Sequence, residues 1–225
     1  MNRTIVFDVN ETLLDLGVLE PPFQMLFGDA TTRRDWFAQL IQLSMVVTAT
    51  DTYRDFKTLA GEALELVAAR QGLVLDDEGR ASILGMIAQL PPHPEAAEAL
   101  DRLGSAGFRL VALTNSPPAT AAAQLTYAEL IDRFDRVMSV DSTRRFKPHP
   151  APYMMAADEL GVGPTRLWMV AAHDWDVVGA MNVGFRGAFV DRPGQGYSSG
   201  YKQPDLIGAD LLEVADGLIA RSAAE

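Results

Sequence analysis

Five short apolar runs punctuate the chain, at residues 4–8 (Thr4-Ile5-Val6-Phe7-Asp8), 108–114, 136–140, 167–172 and 187–190. Each is too short for a typical helix and rich in β-branched or large apolar residues, so each predicts a buried strand. Helical patterns fill the later gaps: an Ala-rich stretch after Thr114, the segment around Tyr153 ahead of Leu167, and the segment from Asp176 to Gly184. Strands alternating with helices predict an α/β fold whose parallel sheet is covered on both faces.

The first gap is too long for a single crossover helix. Between Leu16 and Leu90 three helical stretches are predicted, at 33–47, 53–71 and 76–90. The second carries Phe56, Leu59, Ala60, Ala63, Leu64 and Val67 at helical spacing. An inserted helical domain over 15–90 is the economical reading, with a core made of 1–14 and 91–225. Leu14 to Val18 marks its entry. Leu90-Pro91-Pro92-His93-Pro94 marks its exit, because proline stops a helix and biases the preceding residue towards extended backbone. The glycine- and serine-containing stretch 194–200 reads as a loop.

Composition narrows the function without naming one. The 225 residues are 48% hydrophobic and 22% charged, an ordinary globular balance. Lys+Arg number 19 against Asp+Glu 30, giving a net charge of −11 that disfavours a nucleic-acid or anionic-membrane surface. No run reaches the roughly 18 apolar residues of a membrane span, and Asp8 interrupts the only early apolar stretch, so a cytoplasmic protein is expected. With no cysteine, disulfides, thiol nucleophiles and zinc–thiolate sites are all excluded.

In an open parallel sheet, ligands bind beyond the carboxyl ends of the strands. The first strand ends in Asp8, Asn10 and Thr12, the second in Thr114, Asn115 and Ser116, and the fourth in His173, Asp174 and Asp176. Lys147, after the third strand, can reach the same edge. Asp8 carries the most information, because a carboxylate closing a buried strand must be met by a cation or by donors. Lys147 is the expected partner. It would keep Asp8 ionised, and an ionised, partly desolvated carboxylate can act as a nucleophile.

The ordered segments FDVNETLLD, LVALTNS, RRFKPHPAPY and VAAHDWDVVGA resemble the motif set of the haloacid dehalogenase superfamily, most closely its type II 2-haloacid dehalogenase branch. The resemblance spans nearly the whole chain and implies a Rossmann-like core with a helical cap. It also implies roles. Asp8 would displace the leaving group and form an aspartyl ester that water hydrolyses, and Thr12 would hydrogen-bond that carboxylate. Thr114 and Asn115 would hold the substrate, Tyr153 would line the pocket, and Asp176 would hold Lys147 or the hydrolytic water. The substrate would be a small anionic organic acid, with no cofactor and no metal, and the branch implies a homodimer.

Related phosphatases carry a second aspartate two residues after the nucleophile, as general acid, and hold Mg²⁺. This chain has Asn10 there, and an amide cannot donate and recover a proton near neutrality. A halide leaves as a stable anion and needs no acid. Three departures from the branch stand out: Phe37 falls where an arginine of the first cap helix is expected, and Ala171 and His173 replace a serine and an asparagine. Arg33 or Arg34 is expected to point away from the site, given helix geometry. His173 is expected to donate to a carboxylate or to act as a base with Asp176. Trp36, Phe37, Leu40 and Leu43 suit a core or domain interface, or an apolar substrate slot. Two alternatives stay open, a Mg²⁺-dependent phosphomonoesterase and a non-catalytic ligand-binding protein.

Overall fold

Six parallel strands form one sheet in the order β3-β2-β1-β4-β5-β6: β1 (Thr4–Phe7), β2 (Arg109–Thr114), β3 (Arg136–Ser139), β4 (Leu167–Ala171), β5 (Arg186–Val190) and β6 (Leu206–Gly208). The computed structural model describes residues 3–224; Met1, Asn2 and Glu225, which the expected core ranges include, lie outside the described residues. Nine α-helices accompany the sheet among the described residues: α1 (Glu20–Phe27), α2 (Thr32–Ala49), α3 (Phe56–Arg70), α4 (Asp77–Met86), α5 (Ala96–Ser105), α6 (Pro118–Tyr127), α7 (Pro150–Leu160), α8 (Asp174–Asn182) and α9 (Leu211–Ala224). None of the helices is long and apolar enough to cross a membrane.

The sheet is buried on both faces, which explains why its strands read as continuous apolar runs. Ile5, Phe7, Leu110, Ala112, Trp168 and Val170 face one core, shared with α5, α9 and the helices inserted after β1. Val6, Val111, Leu113, Met169 and Phe189 face the other, filled by α7 and α8 through Tyr153, Ala156, Val177 and Ala180. Each large aliphatic side chain in these layers stabilises the fold by about 1.5–3 kcal/mol. The central register aligns Phe7, the last residue of β1, with Ala112 and with Val170, so the three strands end within two residues of one another on the same sheet edge.

Helices α1 to α4 occupy the long gap after β1. Helix α2 packs on α3, and the indole N–H of Trp36 donates to the Ala60 carbonyl at 2.9 Å. The chain enters and leaves this excursion at one place. Leu14 pairs with Pro92 in an isolated bridge, Asp15 N–H donates to the Pro91 carbonyl at 2.8 Å, and His93 N–H donates to the Leu13 carbonyl at 2.8 Å.

Local chemistry sets the element ends. Helix α3 starts at Phe56 rather than Tyr53 because Asp55 is extended and its side chain accepts from Thr58 N–H, an N-cap. Helix α4 stops at Met86 and tightens into a short 3₁₀ turn before Pro91. Four elements were not expected from the sequence: α1, opened by Pro21 and Pro22, helix α5, and the terminal pair β6 and α9. Leu211, Val214, Ala215 and Leu218 in α9 do follow the i, i+3, i+4, i+7 spacing of a buried helical face.

Candidate active site

Asp8 sits one residue past β1, where its N–H still donates to the Val170 carbonyl at 3.0 Å. The chain then turns tightly: Leu13 and Leu14 N–H both donate to the Val9 carbonyl, at 2.9 and 3.0 Å. This turn brings Thr12 back beside the strand tip. Its hydroxyl donates to Asp8 Oδ2 at 2.8 Å and accepts from Ala172 N–H at 2.9 Å, tying the β1 and β4 ends together. Glu11 at the apex has φ +61°, a left-handed conformation that an L side chain adopts at a cost of about 1 kcal/mol or more.

Lys147 reaches the same point from the segment after β3. Its side chain is fully buried, and its ammonium donates to Asp8 Oδ1 at 2.8 Å, Asp176 Oδ2 at 2.7 Å and the Leu113 carbonyl at 2.8 Å, which uses all three protons. Its backbone N–H donates to Asn115 Oδ1 at 3.1 Å. Burial works against the Lys147 charge, but the Asp176 and Asp8 carboxylates raise its pKa above the ordinary lysine value. Burial likewise opposes the Asp8 charge, and the Lys147 ammonium together with His173 outweighs it, holding Asp8 well below the usual carboxylate range. Asp176, also buried, is pushed up by burial and by the charge of Asp8, in spite of Lys147.

Several side chains differ in placement from the expectation. Tyr153 lines neither of the two cavities at Phe37: it is wholly buried behind Asp176, to whose Oδ1 its hydroxyl donates at 2.6 Å. Burial and the adjacent Asp176 charge push that phenol well above its ordinary pKa, so it stays a donor. Thr114 is fully buried, its hydroxyl accepting from Ser116 N–H at 3.1 Å, while Asn115 serves the Lys147 backbone. Asn10 has both ends of its amide engaged, donating to Ser116 Oγ at 3.3 Å and accepting from Gln124 at 3.0 Å.

His173 does not meet Asp176. Its Nδ1 lies 3.2 Å from Asp8 Oδ2 and its Nε2 lies 3.0 Å from Glu11 Oε2. Two carboxylates on one ring require two N–H donors, the imidazolium form. Burial pulls the His173 pKa down, but the hydrogen bonds and charges of Asp8 and Glu11 prevail and push it up to about 9. The ring stacks on Phe37 at 5.5 Å and on Trp175 at 4.9 Å between centroids. Arg33 does reach the strand tips, contrary to expectation, and its guanidinium donates to Glu11 Oε1 at 2.7 Å. Burial raises the Glu11 pKa, while the His173 hydrogen bond and then Arg33 carry it down to about 2.

Glu11, Trp175, His93 and Arg192 were missed as site residues. A second carboxylate three residues after Asp8 was a visible signal. The others depend on where loops return: Arg192, from the loop after β5, donates to the Thr12 carbonyl at 2.7 Å and pairs with Glu95 at 2.9 Å.

Two cavities meet at Phe37. A small one of about 150 Å³ is walled by Asn10, Trp36, Phe37, Leu40, Leu84 and Ser116, with Lys57 the one charged side chain among its described lining residues. A larger, more polar one of about 690 Å³ is bounded by Glu11, Arg33, Arg34, Phe37, His173 and Trp175. Among the described residues no cluster of three or more His, Asp or Glu side chains is arranged to hold a metal, and the Lys147 ammonium occupies the position between Asp8 and Asp176.

The chain as a whole has known relatives. The family profile of haloacid dehalogenase-like hydrolases matches residues 2–184. An (S)-2-haloacid dehalogenase of Xanthobacter autotrophicus is 33% identical over 198 residues, covering 87% of this chain and 77% of that protein. A second, from Burkholderia cepacia, is 31% identical over 195 residues, covering 85% and 84%. The solved L-2-haloacid dehalogenase of Xanthobacter autotrophicus with chloropropionic acid covalently bound superposes with a TM-score of 0.89 at 26% identity, over 96% of this chain and 98% of that one. With the motifs on one sheet edge and the profile spanning most of the sequence, the chain belongs to the haloacid dehalogenase-like hydrolases.

Proposed function

We propose that the protein is a 2-haloacid dehalogenase, a hydrolase that displaces halide from a small 2-haloalkanoate through an ester on Asp8. The observation that carries this reading is the Lys147 ammonium shared between Asp8 and Asp176, at 2.8 and 2.7 Å. It keeps Asp8 anionic in a site only 5% exposed, where a carboxylate stripped of water is a stronger nucleophile. An Asp8 oxygen attacks the carbon bearing the halogen, the carbon–halogen bond breaks, and the halide departs with the electron pair. Water then attacks the Asp8 carboxyl carbon and releases the 2-hydroxy acid. Thr12 and Lys147, donating to the two Asp8 oxygens, stabilise charge that develops there.

The residues over 15–90 act as the cap. The small cavity beneath α2 and α3 suits the apolar body of a short haloacid, and Lys57 in its wall offers a cation to the carboxylate. Asn10 and Phe37 border the substrate, whereas Asn115 and Tyr153 act through the Lys147 and Asp176 scaffold and Thr114 holds the turn at Ser116. The Mg²⁺ phosphatase reading is disfavoured by Asn10, whose amide is fixed between Ser116 and Gln124 and supplies no acid. A cytoplasmic address, expected from the sequence pattern, and a homodimer, expected from the family resemblance, complete the proposal; cell fractionation and light scattering on the purified chain test them.

The deciding experiment is halide release from chloroacetate and 2-chloropropionate, with p-nitrophenyl phosphate plus and minus Mg²⁺ in parallel. Expected are halide release from at least one haloacid, its loss in Asp8→Asn, and no Mg²⁺-dependent phosphatase activity. Absence of halide release from every short haloacid rejects the reading.

A further inference from the structure

The ester on Asp8 must be hydrolysed, and hydrolysis needs a group to take a proton from the attacking water. Lys147 is poorly suited, since its three protons are committed and its charge is stabilised by two carboxylates. Asp176 has one oxygen on Lys147 and the other on Tyr153. His173 stands on the opposite side of Asp8, in the wall of the larger cavity, with a ring nitrogen 3.2 Å from Oδ2. Its plane is fixed by Phe37 and Trp175, and its far nitrogen by Glu11. Glu11 is itself held by Arg33 at 2.7 Å and Gln195 at 3.1 Å, and sits on a left-handed backbone position that glycine would occupy more cheaply.

His173 does not compensate for the missing cap arginine at the halide. Displacement is in line, so the halide leaves on the far side of the carbon from the attacking oxygen. A group hydrogen-bonded to the attacking carboxylate lies on the near side, beside the carbon that water later attacks.

We propose that His173 is the proton acceptor for hydrolysis of the Asp8 ester and that Glu11 is its positioning residue. This inference rests on the dehalogenase reading.

The resting enzyme holds Asp8 as carboxylate and His173 as imidazolium. Ester formation expels halide and removes the Asp8 charge, so His173 loses one of its two anionic partners and gives the Nδ1 proton to solvent through the larger cavity. Neutral Nδ1 then takes one proton from water as the oxygen bonds to the Asp8 carboxyl carbon. Collapse breaks the ester bond, the leaving alkoxide takes the second water proton, and Asp8 carboxylate and His173 imidazolium are restored. The net result is one hydroxy acid, one halide and one proton per turnover.

The charged groups around the pair are compatible with this cycle. From β1 and its turn come Asp8 and Glu11; from α2, Arg33; from the segment before α5, His93, whose Nε2 lies 3.2 Å from the Glu11 carbonyl; and from the loop after β5, Arg192. On α8, Asp174 turns to the backbone N–H groups of Trp175 and Ser198 rather than to the ring, and Asp176 is engaged by Lys147.

Rapid-quench single turnovers with 2-chloropropionate, read by halide release and by intact-protein mass, test the assignment in wild type, His173→Asn, His173→Gln and Glu11→Gln. Expected in either His173 variant is a halide burst of about one per site with hydrolysis slowed about 100-fold or more, so that the Asp8 ester accumulates. The burst itself reports a folded site. In Glu11→Gln, hydrolysis slows about 10-fold, and the acid limb of its pH profile moves to lower pH, because a ring without its anion holds its proton less tightly. Ester hydrolysis at the wild-type rate in both His173 variants overturns the assignment, as does slowed halide release without ester accumulation. Failure of wild type to release halide from any haloacid is a different result, and overturns the dehalogenase reading together with this one.

Discussion

Asp8 is flanked by two cations, and each of them bridges Asp8 to a second carboxylate. On one side Lys147 links it to Asp176, and on the other His173 links it to Glu11. The Lys147 side is closed: the ammonium, Asp176 and Tyr153 are all within 1% of full burial and every proton has an acceptor. The His173 side borders an open cavity, and its cation is one that titrates within an accessible range. The same charge pattern therefore suits opposite tasks. A sealed ammonium holds a charge fixed, while an imidazolium near water exchanges a proton.

The largest expected effect breaks the sealed side. Lys147→Met leaves Asp8 and Asp176 as two buried carboxylates without a counter-charge, which should cost about 3–5 kcal/mol in urea unfolding and abolish halide release. Asp176→Asn should be milder, because Lys147 keeps Asp8 as its charged partner; halide release should fall about 100-fold in steady-state assays.

The open side should show itself in the pH dependence of stability. His173 has a folded pKa of about 9 against an ordinary 6.5, so its contribution is complete below pH 6.5 and is lost as pH rises through about 9. Glu11, at about 2 against 4.5, contributes fully above pH 4.5 and loses that contribution as pH falls through about 2. Urea titrations should therefore show an alkaline decline of roughly 1–3 kcal/mol that flattens in His173→Asn. The smallest effect is expected from Tyr153→Phe. It removes one donor to Asp176 and should cost about 1–2 kcal/mol of stability while leaving the halide burst in place.

Much of this comparison was legible in the sequence on one side only. Asp8, Lys147 and Asp176 could be brought together because each follows a run that had to be a strand, and parallel strands deliver their carboxyl ends to one edge. Glu11 and Arg33 could not, since their meeting depends on a left-handed turn residue and on the placement of α2 over the sheet. Phe37 was read as an absence of charge; its contact with the His173 ring is a gain visible only in three dimensions. Tyr153 lay on the expected segment, but helix α7 turns it into the core behind Asp176. Among the elements, β6 was missed because three residues beside a glycine-rich loop carry little pattern, whereas the spacing in α9 was readable and overlooked.

The bridge between Leu14 and Pro92 gives the inserted helices an unusual modularity. Because the two chain crossings lie side by side, a short splice could replace the whole excursion without stretching the backbone at either cut. Such a miniature would retain Asp8, Lys147 and Asp176 on the sheet edge while shedding Phe37, Arg33 and Lys57, and the strip of core that the inserted helices share with the sheet would need a new polar cover.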